Sequence, residues 1–466
     1  MTEVPITSNH YEFGFHDKVQ SVAEFGHNQL DESVVCQISH EKQEPEWMLN
    51  FRLSALKTYK EKKHPTWGPD ISVIDFNDLT YYRKKTKNKA RTWEDVPDQI
   101  KETFKRLGVP QAEQKVLAGV VAQYESEAVY HNIKNLYGDQ GVVFIDCDTG
   151  LKEYPDLFKK YFGKLVPPTD SFQAALNSAV WSGGTFIYVP EGVHVKIPLQ
   201  TYFRMNDKKT GQFERTLIIV DKGAYCEYIE GCTAPTYAES SLHGAVVEIF
   251  VEEGAYFSYS TIQNWSDNVF NLVTERARVE KNGTMEWLDG NLGSQITMKY
   301  PATYLVGEGA KGTMMSIALA KANQKQDTGA KMIHLAPHTS SRIISKSIVR
   351  EDGRCDYRGD VRFGRNSQYS KSHVECDTIL MDPESKSDTF PMNEIKNAHV
   401  ELEHEAKVSK ISEEQLYYLM SKGLSEKEAT EMIIMGFVQP VSKQLPLEYA
   451  VELNRLIVFD MAGSVG

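Results

Sequence analysis

From Gly183 to about Lys410, apolar and polar positions alternate in short runs rich in β-branched and aromatic residues, each closed by an acidic or glycine-containing turn. Period-two alternation sends successive side chains to opposite faces, so this region predicts strands rather than helices. The turns resemble one another: Val220-Asp-Lys-Gly223, Val251-Glu-Glu-Gly254, Val279-Glu-Lys-Asn-Gly283, Val306-Gly-Glu-Gly309 and Val349-Arg-Glu-Asp-Gly353. Their glycines recur about 26 to 44 residues apart, the loose period of stacked coils that bury their inward faces only against their neighbours. A β-sandwich would give similar strands, but the pattern runs for more than about 200 residues, longer than one sandwich uses. The expectation is a mainly β chain built on a solenoid.

Helix-period patterns flank this region. Trp47, Met48, Phe51, Ala55 and Tyr59 recur three or four apart after Pro45, giving a helix that ends near Lys63. Short helices are expected at Pro97–Arg106, Gln111–Tyr124, Tyr154–Phe162 and Thr169–Ser182, the last capped by Thr169 or Asp170. The basic run Arg83–Arg91 lacks aromatic interleaving and reads as a solvated loop. After Lys410, Ser412-Glu-Glu-Gln415 and Ser425-Glu-Lys-Glu428 are capping boxes that mark two helix starts, with Gly423 and Gly436 as stops. A third helix from Pro446 carries Leu447, Ala450, Val451, Leu453, Leu456 and Ile457, a wide apolar face suited to packing on the solenoid and on another protein. The expected division is a helical region over 1–182, a β core over 183–410 and a helical domain over 411–466.

Composition narrows the function. The 466 residues are 41% hydrophobic and 25% charged, ordinary for a globular chain. A net charge of −12 argues against nucleic acid or an anionic membrane as a partner, since both need a basic face. No apolar run reaches the length of a bilayer span, and the N-terminus has no secretory pattern, so a cytoplasmic protein is expected. Six cysteines without a CxxC pair make no disulfide framework; they read as thiols. The chain has no GxxxxGK[ST], HExxH or GxSxG, which leaves thiols, imidazoles and carboxylates in the β region as candidate chemistry.

Cys232 lies in Glu230-Gly-Cys-Thr-Ala-Pro235 just past an expected strand, where it is either an incidental turn residue or a thiol near a surface or channel. Cys376 lies in His373-Val-Glu-Cys-Asp377, with Val374 on its own face, and reads as a core residue. In His399–Glu405, alternation places His399, Glu401, Glu403 and Glu405 on one face and Val400, Leu402 and His404 on the other. Thiolate, imidazole and carboxylate together would suit iron or zinc rather than calcium.

Eight blocks carry a family resemblance: Glu44–Arg52 (EPEWMLNFR), Gly184–Pro190 (GTFIYVP), Thr201–Asn206 (TYFRMN), Thr210–Arg215 (TGQFER), Tyr228–Pro235 (YIEGCTAP), Gln263–Trp265 (QNW), Leu402–Ala406 (LEHEA) and Gly463–Gly466 (GSVG). From about residue 30 onward, the chain resembles the SufB/SufD family of the SUF iron–sulfur cluster assembly machinery, on its SufB side. The resemblance implies a scaffold rather than an enzyme. It implies a right-handed parallel β-helix between helical regions, pairing with the SufD paralogue, and a C-terminal helical domain, here 411–461, that docks the ABC-type ATPase SufC. By motif, Cys232 resembles the thiol that accepts sulfur from a SufE or SufU type of transfer protein working with a cysteine desulfurase. Cys376 resembles the cysteine at the SufB–SufD interface where the nascent cluster forms, with Glu405 and His404 as further cluster or iron ligands. Arg204, Asn206, His243, Thr261, Gln263 and Trp265 resemble residues lining a polar sulfur path. Apo-proteins or carriers would receive the cluster. Its type, [2Fe–2S] or [4Fe–4S], a role for reduced flavin, and homodimer formation are left open by the sequence.

Two departures stand out. Tyr82–Arg91 replaces a CxxCxxxC motif of some members, which excludes a second cluster site there, and Val273-Thr-Glu-Arg276 carries Glu275 where some members have lysine. A SufD-like partner subunit is the neighbouring alternative, and the EGCTAP and EHE blocks argue against it. A polysaccharide-cleaving β-helix is the alternative from another class; the sequence offers no repeated acidic coil to supply its paired carboxylates.

Overall fold

The computed structural model describes residues 20–27, 29–86, 96–98, 100–101, 119–133, 135–234, 240–444, 453–454 and 457. Its centre is a parallel β-helix of about eight turns with helices at both ends. Two sheets form its walls. One runs through the strands Gly119–Tyr124, His194–Arg204, Tyr225–Thr233, Tyr256–Asn264, Thr284–Leu292, Lys311–Ala320, Ser340–Val349, Ser370–Leu380 and Val400–Lys410, all parallel. The facing sheet runs from Thr185–Val189 through Arg215–Val220, Val246–Val251 and Val269–Val279, and ends at Lys325–His334, Arg354–Phe363 and Thr389–Ile395.

The expected turns close these coils. Gly223, Gly254 and Gly309 take positive φ of 62°, 67° and 70°, where a Cβ would be strained. At Gly283 and Gly353 the left-handed position moves one residue back, to Asn282 and Asp352, whose short polar side chains tolerate it. The solenoid interior is one continuous core that includes Leu199, Tyr228, Tyr259, Trp287, Met314, Ile343 and Val374. Those residues are mutual register partners from strand to strand, so each coil places its apolar side chain on the one before.

Several local expectations change. Gly119–Tyr124, expected as the end of a helix, is a strand paired with His194–Arg204, while residues 111–118 lie outside the described residues. Val120, Val121 and Ala122 are all buried, and a strand covered on both faces loses the alternation that would separate it from a helix. The helix Phe172–Val180 is capped by Ser171, whose side chain accepts from the Ala174 N–H, rather than by Thr169 or Asp170. Gly436 lies inside the helix Glu426–Ser442 and does not end it. The helix expected from Pro97 and the first residues of the chain fall mainly or wholly outside the described residues.

The flanking helices are tied to the solenoid by buried charge and by apolar contact. Arg52, in the helix Glu46–Glu61, pairs with Glu44 at 2.5 Å and donates to the Trp181 carbonyl at 2.9 Å, with both charged groups fully enclosed. Glu248 accepts from the N–H groups of Gly163, Leu165 and Val166 while it pairs with Arg215 at 2.9 Å. At the other end, Ile434, Val438, Leu453 and Ile457 pack on Ile262, Leu288, Ile317 and Ile344 of the outer wall, which gives part of the apolar C-terminal face its use. Ser425 forms a complete capping box with Glu428. Among the described residues no helix is long and apolar enough to cross a membrane.

Candidate functional site

Cys232 belongs to the strand Tyr225–Thr233, not to a turn after it, and is fully buried. Alternation puts Cys226, Tyr228, Glu230 and Cys232 on the inner face. Around the thiol, Glu230 Oε1 lies 3.7 Å from Sγ. Glu214 and His243 complete a cluster whose ligand-type atoms all lie within 4.8 Å of one another. His243 Nε2 bonds Glu214 Oε1, and its Nδ1 meets Asn271 Oδ1 at 2.7 Å. Asn271 Nδ2 donates to Gln263 Oε1 at 2.6 Å, which also accepts from the Trp265 indole at 3.3 Å. The Trp265 ring lies 4.6 Å from the imidazole. Four of the expected site residues, Cys232, His243, Gln263 and Trp265, thus form one buried group.

Burial dominates the electrostatics. It drives the Cys232 thiol well above its usual range, and Glu230 and Glu214 push the same way. Glu230 is pushed up to about 7 by burial and then by Glu214. Burial opposes a charged His243, but Glu214 beside it, together with Asn271 and Glu230, outweighs that effect and raises the imidazole.

Thr261 pairs in register with Glu230, and this register continues through the wall as Asp289, Ser316, Ser345 and Cys376. All six are buried and share the inner face with the apolar file beginning at Tyr228, two residues earlier in each strand. Five strand steps of ~4.8 Å put Cys376 about 24 Å along the axis from Glu230. Ser316 Oγ donates to Ser345 Oγ at 3.1 Å. Opposite Asp289, Lys299 from the facing sheet reaches Asp289 at 2.8 Å and Glu275 at 3.1 Å, all three enclosed. Glu275 therefore does not leave the interior without a cation: Lys299 supplies it from the next coil. Arg276 does not, because it turns outward to Asp170 and the Leu165 carbonyl.

At the far end, burial pushes the Cys376 thiol up to about 12, aided by Asp377 and Glu375. Tyr357 of the facing sheet is held well above the usual phenol range by burial, with Cys376 and Asp289 as the charges that add to it. His404 pairs in register with Val374 and so shares the inner face with Cys376. Neither of its ring nitrogens has a hydrogen-bond partner among the described residues, and burial pulls it below the usual imidazole range. Glu405 pairs with Glu375 and points to the opposite, exposed face. Within this chain, Cys376 and His404 are therefore brought together and Glu405 is not.

Arg204 and Asn206 lie to one side of the Cys232 cluster. Arg204 pairs with Thr233, one position beyond Cys232, so guanidinium and thiol leave the strands on opposite faces. The Asn206 N–H donates to Glu125 Oε1 at 2.7 Å. The sequence reading missed Glu214, Glu230, Asp289, Lys299 and Tyr357 as site residues. Glu214 stands 29 residues before His243, about one coil, and that spacing was the signal available for it.

Comparison with known proteins agrees with this architecture. The family model described as SUF system FeS cluster assembly, SufBD core domain, matches residues 203–437, and that for the SufBD protein N-terminal region matches 36–201. The chain is 58% identical over 458 residues to the iron–sulfur cluster assembly protein SufB of Bacillus subtilis, covering 98% of each chain. SufBD family proteins of Staphylococcus saprophyticus and Staphylococcus aureus match at the same identity and coverage. With both family models and full-length relatives in agreement, the chain belongs to the SufBD family of SUF-system iron–sulfur cluster assembly proteins.

Proposed function

We propose that this chain is the scaffold on which sulfur, taken up at Cys232, is delivered through the solenoid interior to a nascent iron–sulfur cluster built at Cys376. The observation that carries the reading is the buried polar file Glu230, Thr261, Asp289, Ser316 and Ser345, which runs in register from beside one thiol to the other. A buried polar column inside an apolar solenoid costs stability unless each group is satisfied, so its presence calls for a function. The uptake step needs a thiolate. Cys232 would give its proton to Glu230, whose carboxyl titrates near neutrality. The sulfur would then attack the sulfane sulfur of a donor persulfide, forming a new S–S bond as the donor thiolate leaves.

The outer surfaces suit the remaining partners. The last coil, Thr389–Ile395 and Val400–Lys410, exposes Ile395 and Val408 on the inner face that also carries Cys376 and His404, a face on which a SufD-like paralogue would complete the cluster site and bring Glu405 into use. Tyr417, Tyr418, Met420 and Met432 are exposed on the helices Glu413–Ser421 and Glu426–Ser442, where an ATPase of the SufC type would dock. A SufE or SufU type of donor with its desulfurase would load Cys232. In the cytosol the cluster would pass to apo-proteins or carriers, with the chain itself turning over no substrate. The test of the uptake step is transfer of labelled sulfur from the loaded donor: wild type should retain the label through denaturing gel separation without reductant, and Cys232→Ser should not. Equal labelling of the two would overturn Cys232 as acceptor.

A further inference from the structure

We propose that Glu214, Cys232 and His243, with Glu230 as fourth donor, form a binding site for one divalent transition-metal ion of borderline softness, zinc or ferrous iron. The site is separate from the cluster position at Cys376. The donor set is one sulfur, one imidazole nitrogen and carboxylate oxygens, the mixture that suits these ions and disfavours calcium or magnesium. The first three donor atoms lie within 4.8 Å of one another, close enough for a small displacement to bring them to tetrahedral spacing, and Glu230 Oε1 stands 3.7 Å from the sulfur.

Three further observations point to a ligand. Glu214 Oε2 is enclosed and has no hydrogen-bond partner among the described residues, although a carboxylate oxygen so placed should have one. His243 bonds Asn271 Oδ1 through Nδ1, which fixes the tautomer by making that nitrogen the donor and leaves Nε2 as the ligating atom. Asn271 is in turn held by Gln263, and Gln263 by Trp265, so the imidazole is oriented by an outer layer of the kind metal sites require. The nearby cation Lys299 makes its ion pairs with Glu275 and Asp289. A bound ion would replace the proton between His243 and Glu214 and displace that of the thiol.

The site does not depend on sulfur uptake, though it shares Cys232 with that step, and its test contains no sulfur donor. Anaerobic titration of the full chain, free of any affinity tag, with Co2+ should give one equivalent with the visible d–d bands of a tetrahedral site and a thiolate-to-cobalt charge-transfer band. Zn2+ should bleach both. The signals should vanish in Cys232→Ser and His243→Gln, and persist in Cys36→Ser and Cys376→Ala. Where a cluster variant fails to fold, X-ray absorption of the zinc-loaded wild type decides: one sulfur with nitrogen and oxygen donors is the expected shell. No tetrahedral cobalt signal in wild type, a signal that survives loss of Cys232 or disappears with Cys376, or a zinc shell without sulfur would overturn the proposal.

Discussion

A single lysine decides how the interior tolerates its carboxylates. Lys299 meets Asp289 at 2.8 Å and Glu275 at 3.1 Å with no exposure of any of the three. Burial works against the ammonium, but the two carboxylates more than offset it and hold it charged. Lys299→Met keeps the stem and strands two buried acids, so the variant should lose about 3–5 kcal/mol in equilibrium denaturation. Adding Glu275→Gln and Asp289→Asn should recover most of that loss; an unchanged midpoint in Lys299→Met would show that the trio is not a coupled unit. None of this was legible along the chain, where Glu275 stood only as a departure from a lysine. Cys232, Gln263 and Trp265 could be found because each sits in a recognisable block. Glu214 and Lys299 act through partners on other coils, and only strand register brings those together.

At the scale of elements, the strand Lys325–His334 ends in a histidine that the fold keeps neutral. His334 Nδ1 meets Thr339 Oγ1 at 2.7 Å, Nε2 meets Ser341 Oγ at 2.9 Å, and the ring stacks on Phe363. Burial depresses it to about 3 from 6.5. Below 6.5 the unfolded chain takes up a proton that the folded chain refuses. The histidine's contribution is therefore full above pH 6.5 and is lost as pH falls through 6.5 towards 3, by up to about 4 kcal/mol. His334→Gln should flatten the fall of the thermal midpoint across that window relative to wild type; parallel pH profiles would contradict the assignment. The turn period announced the solenoid because coil closure demands left-handed residues at regular intervals. The strand Gly119–Tyr124 was hidden by the opposite circumstance, burial on both faces, and the cap at Ser171 was missed because Thr169 and Asp170 offer the same chemistry two and one residues earlier.

Among the described residues, the molecule is a solenoid with flanking helices whose last coil is left uncovered. Along Thr389–Ile395 and Val400–Lys410 most side chains are exposed, including Ile395 and Val408, and an edge that is unpaired among the described residues favours a pairing partner. Replacing Ile395 and Val408 by lysine should weaken association with a SufD-like paralogue by at least tenfold in sedimentation or calorimetry, without shifting the chain's own unfolding midpoint. Undiminished affinity would place the partner elsewhere. The same end of the molecule holds Cys376 and His404 on the inner face, where the proposed site shared with a paralogue would form. The most direct test of the central claim is anaerobic iron–sulfur reconstitution of this chain with its ATPase and SufD-like partners, wild type against Cys376→Ala, followed by visible absorption and Mössbauer spectroscopy. Cluster signal is expected in wild type and should be lost in a folded Cys376→Ala complex, whereas equal cluster content in the two would contradict a cluster built at the end of the solenoid.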